Sequence, residues 1–166
     1  MLIRPAILAD LPAINAIYNH YVLNSTATYQ TEPSTDAQRL EWFHAHDTRH
    51  PILVAQLTTC PATCPVIGWA SLSPFHTRSA FANSVEDSIY IHPDYHRRGL
   101  GRRFLSDLIT HARALGHHTM IGVISADQAP SIALHQSLGF IPACVLRQVG
   151  RKFDRWLDVA YLQLML

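Results

Sequence analysis

The sequence has little net charge, no long apolar run and no export signal. Its formal charge is +1 over 166 residues, so no overall field draws it to nucleic acid or to an anionic membrane. No apolar run approaches the roughly 20 residues that span a bilayer. The first residues, from Met1 to Pro5, lack the basic, apolar and small-residue order of a signal peptide. These absences predict a cytoplasmic protein without a nucleic-acid or membrane partner.

Cysteine is scarce, and its number is odd. The three cysteines are Cys60, Cys64 and Cys144, which argues against a complete disulfide framework. Cys60 and Cys64 have a spacing that invites a metal interpretation, but no second cysteine pair or nearby histidine completes a tetrahedral site. We interpret this segment as a turn and predict no metal.

The residues that are abundant predict one compact domain over 1–166. Hydrophobic residues make up 48% and charged residues 15% of the chain, a composition typical of a globular unit of this length. Apolar periodicity and turn residues predict the order strand, two helices, three strands, helix, strand, helix, two strands. This order indicates a mixed sheet covered by helices. The predicted strands are 2–5, 52–57, 66–72, 84–91, 120–124, 141–146 and 156–166, and the later helices are 100–115 and 130–138.

The starts of the first two helices carry capping signals. Asp10 is predicted to cap a helix that begins at Leu11. Thr35 and Gln38 have the spacing of a capping box for the second helix. Leu40 and Phe43 are predicted to form the apolar side of that second helix.

The segment 90–102 combines a strand end, a turn and a helix start, with glycine at 99 and 101. Glycines allow the main chain to approach a ligand closely, and the first N–H groups of a helix have no internal partners. Together with Arg97, Arg98 and Arg102, they predict an anion site.

The anion at this site is not a familiar dinucleotide or nucleoside triphosphate. Phe104 stands where a dinucleotide fingerprint has its third glycine, and no Gly-Lys-Ser/Thr sequence provides a P-loop. The remaining candidate is a pyrophosphate of another kind, such as that of coenzyme A.

A series of short motifs runs nearly from end to end of the chain. The motifs are Ile3-Arg4-Pro5-Ala6 with Ala9-Asp10, Asn19-His20-Tyr21, Thr31-Glu32-Pro33, Glu86 ahead of Ile89-Tyr90-Ile91, Arg98-Gly99-Leu100-Gly101, His135 with Leu138-Gly139-Phe140, and Trp156 with Asp158-Val159. This series resembles the GNAT acetyltransferase superfamily, and more closely its phosphinothricin N-acetyltransferase-like branch. The resemblance implies an α/β (α+β mixed) fold with a mostly antiparallel mixed sheet, one splayed parallel strand pair and helices on both faces. It also implies an acetyl-CoA-dependent N-acetyltransferase.

The resemblance implies where acetyl-CoA binds. Its pantetheine arm would lie where strands 84–91 and 120–124 splay apart, and the later loop would add contacts. Two positions depart from the branch, since His96 replaces a glutamine and Gln128 replaces an asparagine. The implied coenzyme-binding residues are Ile89, Tyr90 and Ile91 for the amides of the arm, Arg97, Arg98, Gly99, Leu100, Gly101 and Arg102 for the pyrophosphate, and Gln128 and Ser131 on the later loop.

The resemblance also assigns the catalytic roles. An alkyl amine with a pKa near roughly 10 must lose a proton before it attacks, and Glu86 is the implied base. A backbone N–H near Ile91 would stabilise the oxyanion. His135 stands where many members have a tyrosine that protonates departing coenzyme A. The alternatives are a surface carboxylate beside Asp87 for Glu86 and a packing or hydrogen-bonding residue for His135.

The implied acceptor is the primary amine of a small amino-acid-like molecule of the phosphinothricin, methionine sulfoximine or methionine sulfone type. Tyr29, His76, Arg78 and Phe81 occupy the places of its pocket, although His76 replaces a lysine and Phe81 lacks a hydroxyl. Alternatively, Arg78 is a solvated loop residue, and Tyr29 and Phe81 are core aromatics. The alternative functions are a protein or peptide N-acetyltransferase and a catalytically silent acyl-CoA-binding module. The apolar final strand offers a possible homodimer interface.

Overall fold

The chain folds into one sheet with helices on both faces. The computed structural model describes residues 1–58 and 64–166 of the chain. Short 3-10 turns cover Leu8–Asp10, Ser79–Phe81 and Pro93–Tyr95. The strands are β1 (Leu2–Pro5), β2 (Ile52–Gln56), β3 (Val66–Pro74), β4 (Ser84–Ile91), β5 (Thr119–Ser125), β6 (Ile141–Lys152) and β7 (Arg155–Met165), and the helices are α1 (Leu11–Asn24), α2 (Asp36–His44), α3 (Leu100–Ala114) and α4 (Ala129–Gln136).

The order of elements predicted from the sequence is confirmed. Within the described residues the sheet has seven strands in the order β1-β2-β3-β4-β5-β7-β6. β6 is longer than predicted because its pairing with β7 resumes after an irregularity between Leu146 and Gly150. Arg147 and Gln148 interrupt the apolar pattern and hide this continuation in the sequence. The predicted cysteine turn falls largely on 59–63, outside the described residues.

The predicted cap of α1 is wrong. The side chain of Asp10 makes no capping hydrogen bond to α1. Instead, its carboxylate accepts two hydrogen bonds of 2.8 Å from the guanidinium of Arg4 and one of 2.8 Å from the N–H of Ile7. The reason is the 3-10 turn that precedes α1, because the carboxylate reaches back across this turn and ties it to β1.

The predicted capping box of α2 is confirmed. Its predicted apolar side is confirmed for Phe43, which packs against the apolar cluster around Trp69, but not for Leu40. The N–H of Gln38 donates to Oγ1 of Thr35 at 3.2 Å, and the N–H of Thr35 donates to Oε1 of Gln38 at 2.9 Å. Leu40 is 39% exposed, whereas Arg39 is only 4% exposed. The guanidinium stacks on aromatic rings, so the cation takes the inward place on this helix.

Two apolar clusters lie on opposite faces of the sheet. Alternation along β2 shows this directly, since Val54 packs in the cluster of α1 and α2, and Leu53 packs in the cluster of α3. Trp69 is at the centre of the first cluster and Phe104 at the centre of the second, and both are at most 1% exposed. The implied arrangement of helices on both faces is thereby confirmed. No helix among the described residues has the length and apolarity needed to cross a membrane.

The parallel strands β4 and β5 pair over only part of their length. Their register joins Ser84 to Thr119, Val85 to Met120 and Glu86 to Ile121. Beyond Glu86, β4 remains paired with β3 as far as Ile91, and β5 remains paired with β7 as far as Ser125. The two strands therefore open a seam in the sheet, as the resemblance implies.

Lys152 fixes the segment that follows α1. This residue is 4% exposed. Its ammonium donates to the carbonyl oxygens of Ser25 at 2.7 Å, Thr28 at 2.8 Å and Tyr21 at 3.4 Å. Burial lowers the pKa of Lys152. The ammonium satisfies carbonyls at the end of α1 and so positions the loop that carries Tyr29.

Replacing Lys152 tests this anchoring. We expect Lys152→Met to reduce the free energy of unfolding by about 2–4 kcal/mol, because several buried carbonyls lose a charged donor. Urea unfolding measures the loss. The control is Arg151→Met at the exposed neighbouring position, for which we expect a change below about 0.5 kcal/mol. Equal effects of the two substitutions would contradict the anchoring role.

Candidate active site

A cavity of about 1600 Å³ lies at the seam between β4 and β5. Side chains from both helical layers contribute to its walls. The structure therefore brings together residues that are distant in the sequence. The predicted site residues that line it are Tyr29, Glu86, Ile89, Tyr90, Ile91, Arg97, Gly99, Leu100, Gly101, Arg102, Gln128, Ser131 and His135.

Four of the predicted site residues lie outside this lining. Arg98 donates to the carbonyl of Asp94 at 3.1 Å and turns away from the cavity. The other three, His76, Arg78 and Phe81, lie on the connection between β3 and β4. There the rings of His76 and Phe81 pack with centroids 5.0 Å apart, and the backbone N–H of Arg78 donates to Nδ1 of His76.

The start of α3 forms the cationic end of the cavity. Gly99 precedes the helix with φ +77°, a conformation that favours glycine. A Cβ built on Gly99 would meet no atom within 4 Å, so the space in front of it is open. Leu100, Gly101 and Arg102 of the first turn of α3 line the cavity beside it. The guanidinium of Arg102 donates to Oγ of Ser137 at 3.0 Å. The arrangement suits a phosphate group.

The open edge of β4 leads from this cationic end into the seam. Because β5 has separated, the backbone groups of β4 that face it after Glu86 have no strand partner. The carbonyl of Ile91 has side-chain partners instead. It accepts hydrogen bonds from the hydroxyl of Tyr21 at 2.5 Å and from Nε2 of His96 at 3.1 Å. His96 thus holds the start of the turn against the end of β4.

Glu86 lies where the seam begins. It is half-buried, and none of the described residues donates a hydrogen bond to its carboxylate. Burial, followed by the nearby charge of Asp87, raises the pKa of Glu86 to about 7. A carboxylate with this pKa is suited to accept a proton near neutral pH.

Tyr29 is close to Glu86 on the same side of the sheet. Burial raises the pKa of Tyr29, and the charges of Asp127 and Glu86 and the hydroxyl of Tyr161 add to the effect. Tyr29 nevertheless remains 38% exposed. Its ring is therefore available to a molecule that enters beside Glu86.

His135 projects from α4 toward the opposite face of β4. Its Nε2 lies 3.0 Å from Oδ2 of Asp87, and its Nδ1 lies 2.8 Å from the carbonyl oxygen of Ser131. Burial alone would lower the pKa of His135, but the charge and hydrogen bond of Asp87, with the Ser131 carbonyl, raise it overall. Both ring nitrogens therefore face acceptor oxygens beside the seam, an arrangement that favours the protonated ring.

The sequence analysis missed one cation of the cavity wall, Arg39. Its guanidinium lies 4.3 Å from the ring centroid of Tyr18 and 4.7 Å from that of Trp42. Its Nε donates to Oδ1 of Asn15 at 3.3 Å. Burial lowers the pKa of Arg39. No sequence signal identified it, because an arginine beside helical apolar positions is typical of a solvated face.

The described residues contain no group of three or more histidine, cysteine, aspartate or glutamate side chains that could hold a metal ion. The cavity offers a half-buried carboxylate, a buried histidine paired with Asp87, and a helix start suited to an anion. These groups surround a seam with free backbone edges. The combination suits an enzyme that transfers a group from a donor that carries a phosphate.

Comparison with known proteins identifies the family. The model described as the acetyltransferase (GNAT) family matches residues 14–140, and the chain belongs to this family. It is also similar to the L-methionine sulfoximine/L-methionine sulfone acetyltransferase of Salmonella typhimurium, with 41% identity over 167 residues that cover 100% of this chain and 95% of that relative.

Two solved structures confirm the fold. A phosphinothricin acetyltransferase from Sinorhizobium meliloti in complex with acetyl-CoA shares 38% identity at a TM-score of 0.93, over 99% of this chain and 88% of that one. A ribosomal-protein-alanine N-acetyltransferase from Brucella melitensis shares 40% identity at a TM-score of 0.94, over 100% of both chains. The resemblance to the phosphinothricin N-acetyltransferase-like branch is thus confirmed.

The raised pKa of Glu86 predicts a pH-dependent stability difference. The pKa of the Glu86 carboxyl group is 4.5 in the unfolded chain and about 7 in the folded protein. The folded protein therefore loses stability as the pH rises from 4.5 to 7, because the unfolded chain releases this proton first. We therefore expect Glu86→Gln to be more stable than the parent by about 1–3 kcal/mol above pH 7 and nearly equal to it near pH 4. Urea unfolding at several pH values measures the gap.

The control is Glu41→Gln, which removes an exposed carboxylate of α2. Its stability difference from the parent should stay small at every pH. If the Glu86→Gln difference were also independent of pH, Glu86 would not be desolvated.

Proposed function

We propose that the protein transfers an acetyl group from acetyl-CoA to the primary amine of a small amino-acid-like substrate. One observation carries the proposal: the seam between β4 and β5 joins an anion-binding helix start to a carboxylate with a pKa of about 7. Names of relatives support the substrate class, because they include methionine sulfoximine, methionine sulfone and phosphinothricin acetyltransferases.

Acetyl-CoA would supply a thioester that an amine can attack. Main-chain groups of Ile89, Tyr90 and Ile91 would hold the amides of its arm at the free edge of β4. The turn from Arg97 to Arg102 would hold the pyrophosphate. Gln128 and Ser131 would contact the coenzyme from the start of α4, although the amide nitrogen of Gln128 already donates to Oγ1 of Thr26 at 2.8 Å.

Glu86 is the proposed base. Its carboxylate accepts a proton from the substrate ammonium, directly or through a water, and the neutral amine then attacks the thioester carbonyl. A pKa of about 7 matches this task, because a base acts best when its pKa is near the working pH. A backbone N–H near Ile91 would stabilise the oxygen that gains charge during attack.

His135 is the proposed acid. Alternation along β4 places Glu86 on the side of α1 and α2, and Asp87 with its partner His135 on the side of α3 and α4. The base and the acid therefore approach the seam from opposite faces. The departing thiolate would take a proton from the imidazolium, and one of its two N–H groups must change partner for this step.

Tyr29 is the proposed acceptor contact nearest to the base. His76, Arg78 and Phe81 remain predictions for this role, because they lie on the connection before β4 and outside the cavity lining. A free amino acid with a small polar side chain would place its amine beside Glu86 and contact the exposed ring of Tyr29. The proposal therefore favours small acceptors.

A second candidate acceptor is the N-terminal amine of a peptide. The name of the Brucella melitensis structure, a ribosomal-protein-alanine N-acetyltransferase at 40% identity, favours it. The chemistry at Glu86 would be the same. Competition between free amino acids and alanine-starting peptides separates the two candidates.

An acetyl-CoA consumption assay across amines tests the function. We expect methionine sulfoximine, methionine sulfone and phosphinothricin to be acetylated faster than alanine-starting peptides. Glu86→Gln should reduce kcat by about 100-fold or more and leave coenzyme binding intact, because it removes the base without touching the cradle. His135→Ala should also reduce kcat, by about tenfold or more.

Calorimetric titration of coenzyme A into each variant provides the control for binding. Unchanged turnover in Glu86→Gln would remove Glu86 from the mechanism. Binding of coenzyme A without turnover of any amine would instead indicate an acyl-CoA-binding module.

We further propose that the protein acts as a homodimer in the cytoplasm, where acetyl-CoA is present. The edge strand β6 supports the dimer. This edge strand carries exposed apolar residues, including Ile141, Val145 and Val149, which are 63%, 51% and 57% exposed. A long apolar edge of this kind is uncommon in monomers.

Sedimentation analysis tests the dimer. We expect a mass of twice 18.6 kDa for the parent and a shift toward the monomer for Val149→Glu, because a charge at a buried interface is costly. The control is Leu2→Glu on β1, a residue that is 52% exposed and lies at the opposite edge of the sheet from β6. A parent that sediments as a monomer would refute the proposal.

A further inference from the structure

Asp87 lies at the beginning of the seam. It is the first residue of β4 after the last pair with β5, Glu86 with Ile121. Its side chain is only 3% exposed. Oδ2 is bonded to His135, and Oδ1 has no hydrogen-bond partner among the described residues. A buried carboxylate with one unsatisfied oxygen is costly, so a strong interaction must retain it.

The donors and acceptors around the His135 ring define that interaction. The carbonyl oxygen of Ser131 only accepts, so Nδ1 of His135 must carry a hydrogen. A ring protonated at Nδ1 alone would turn a bare Nε2 toward the carboxylate, and two acceptors would face each other at 3.0 Å. A second proton between them resolves the conflict. With His135 as the stronger base of the two, the pair is an imidazolium and a carboxylate.

The position of the imidazole ring depends on a glycine of β5. A Cβ built on Gly122 would lie 2.9 Å from Cδ2 of His135, so any other residue would displace the ring. Phe140 packs edge-on against the ring at 4.9 Å between centroids. Asp87 and His135 therefore bridge from β4 to β5 immediately beyond the last pair of the two strands.

The same carboxylate acts on Glu86. The two residues are adjacent in β4, and their side chains point to opposite faces of the sheet. After burial, the charge of Asp87 is the cause that raises the pKa of Glu86. One carboxylate thus influences both groups that the proposed reaction uses.

We propose that Asp87 is a positioning residue that links the two acid–base groups of the site. Its carboxylate holds the His135 imidazolium at the seam and places a second negative charge beside Glu86. The effect on turnover rests on the proposed function. The pairing with His135 does not.

Few other titratable or charged groups lie near Asp87, Glu86 and His135. Asp87 lies opposite Leu72 of β3, which is apolar. Glu86 has Tyr29 and Tyr90 as its remaining titratable neighbours, because the pKa of each tyrosine is raised by its charge as well as by burial. Around His135, only Asp87 among the described residues contributes a charge to its pKa. Removing Asp87 therefore removes the dominant charge from both groups.

The test is Asp87→Asn, which keeps the shape and removes the charge. The His135 imidazole, assigned in NMR titrations by its loss in His135→Gln, should titrate at lower pH in Asp87→Asn. In the pH profile of kcat/KM, both limbs should move to lower pH, since the base and the acid each lose a charge that raises their proton affinity. We expect activity to fall roughly tenfold at about pH 8 and much less at about pH 6.

The matched control is Asp154→Asn. Asp154 is an exposed aspartate with φ +57°, a conformation that asparagine tolerates. It should move neither the imidazole titration nor the pH profile. Unchanged His135 titration in Asp87→Asn would overturn the proposal. Loss of activity by the same factor at every pH would also overturn it, because that is the signature of a purely structural residue.

Two further results keep the proposal distinct from the proposed function. If Glu86→Gln retains full turnover while Asp87→Asn still shifts the imidazole titration, the pairing stands and the assignment of the base fails. If Asp87→Asn does not fold, His135→Gln provides the second test. Without its partner His135, the negative charge of Asp87 should act more strongly on Glu86, so the acidic limb of the pH profile should move to higher pH. An unmoved limb would refute the link to Glu86.

Discussion

The separation of β4 from β5 beyond Glu86 is the constraint on which the site depends. A continuous sheet would pair the backbone groups of both strands and leave no edge for a ligand. Here each strand keeps its outer neighbour, so the sheet remains intact while the seam opens. The ring of His135 lies against Gly122 where the strands diverge, and the cavity follows from there to the start of α3.

This geometry also explains how two ionisable groups with different tasks can be close to each other. Adjacent residues of a strand point to opposite faces. Glu86 therefore lies in a half-buried place without a donor, where burial raises its pKa, and Asp87 lies under α4 beside an imidazolium. The thioester in the seam would meet a base on one face and an acid on the other. No metal ion is needed in this account of amine acetylation.

Much of the fold and part of the site could be predicted from the sequence. Helical periodicity and glycine stops defined α3, and Thr35 with Gln38 defined the start of α2, because these signals are local. The predicted helix cap at Asp10 was wrong, because its carboxylate binds Arg4 of β1 rather than the start of α1. Arg39 was missed because burial of a cation depends on aromatic rings from α1 and β3. The pairing of Asp87 with His135 joins residues 48 positions apart, and no spacing rule reveals it.

The central claim is that the free edge of β4 holds the arm of acetyl-CoA. Amide hydrogen exchange of residues 87–91, measured with and without acetyl-CoA, tests it most directly. The account predicts that exchange slows in this segment and at the start of α3 when the coenzyme binds, because free N–H groups gain acceptors. Slower exchange elsewhere with no change in residues 87–91 would contradict it.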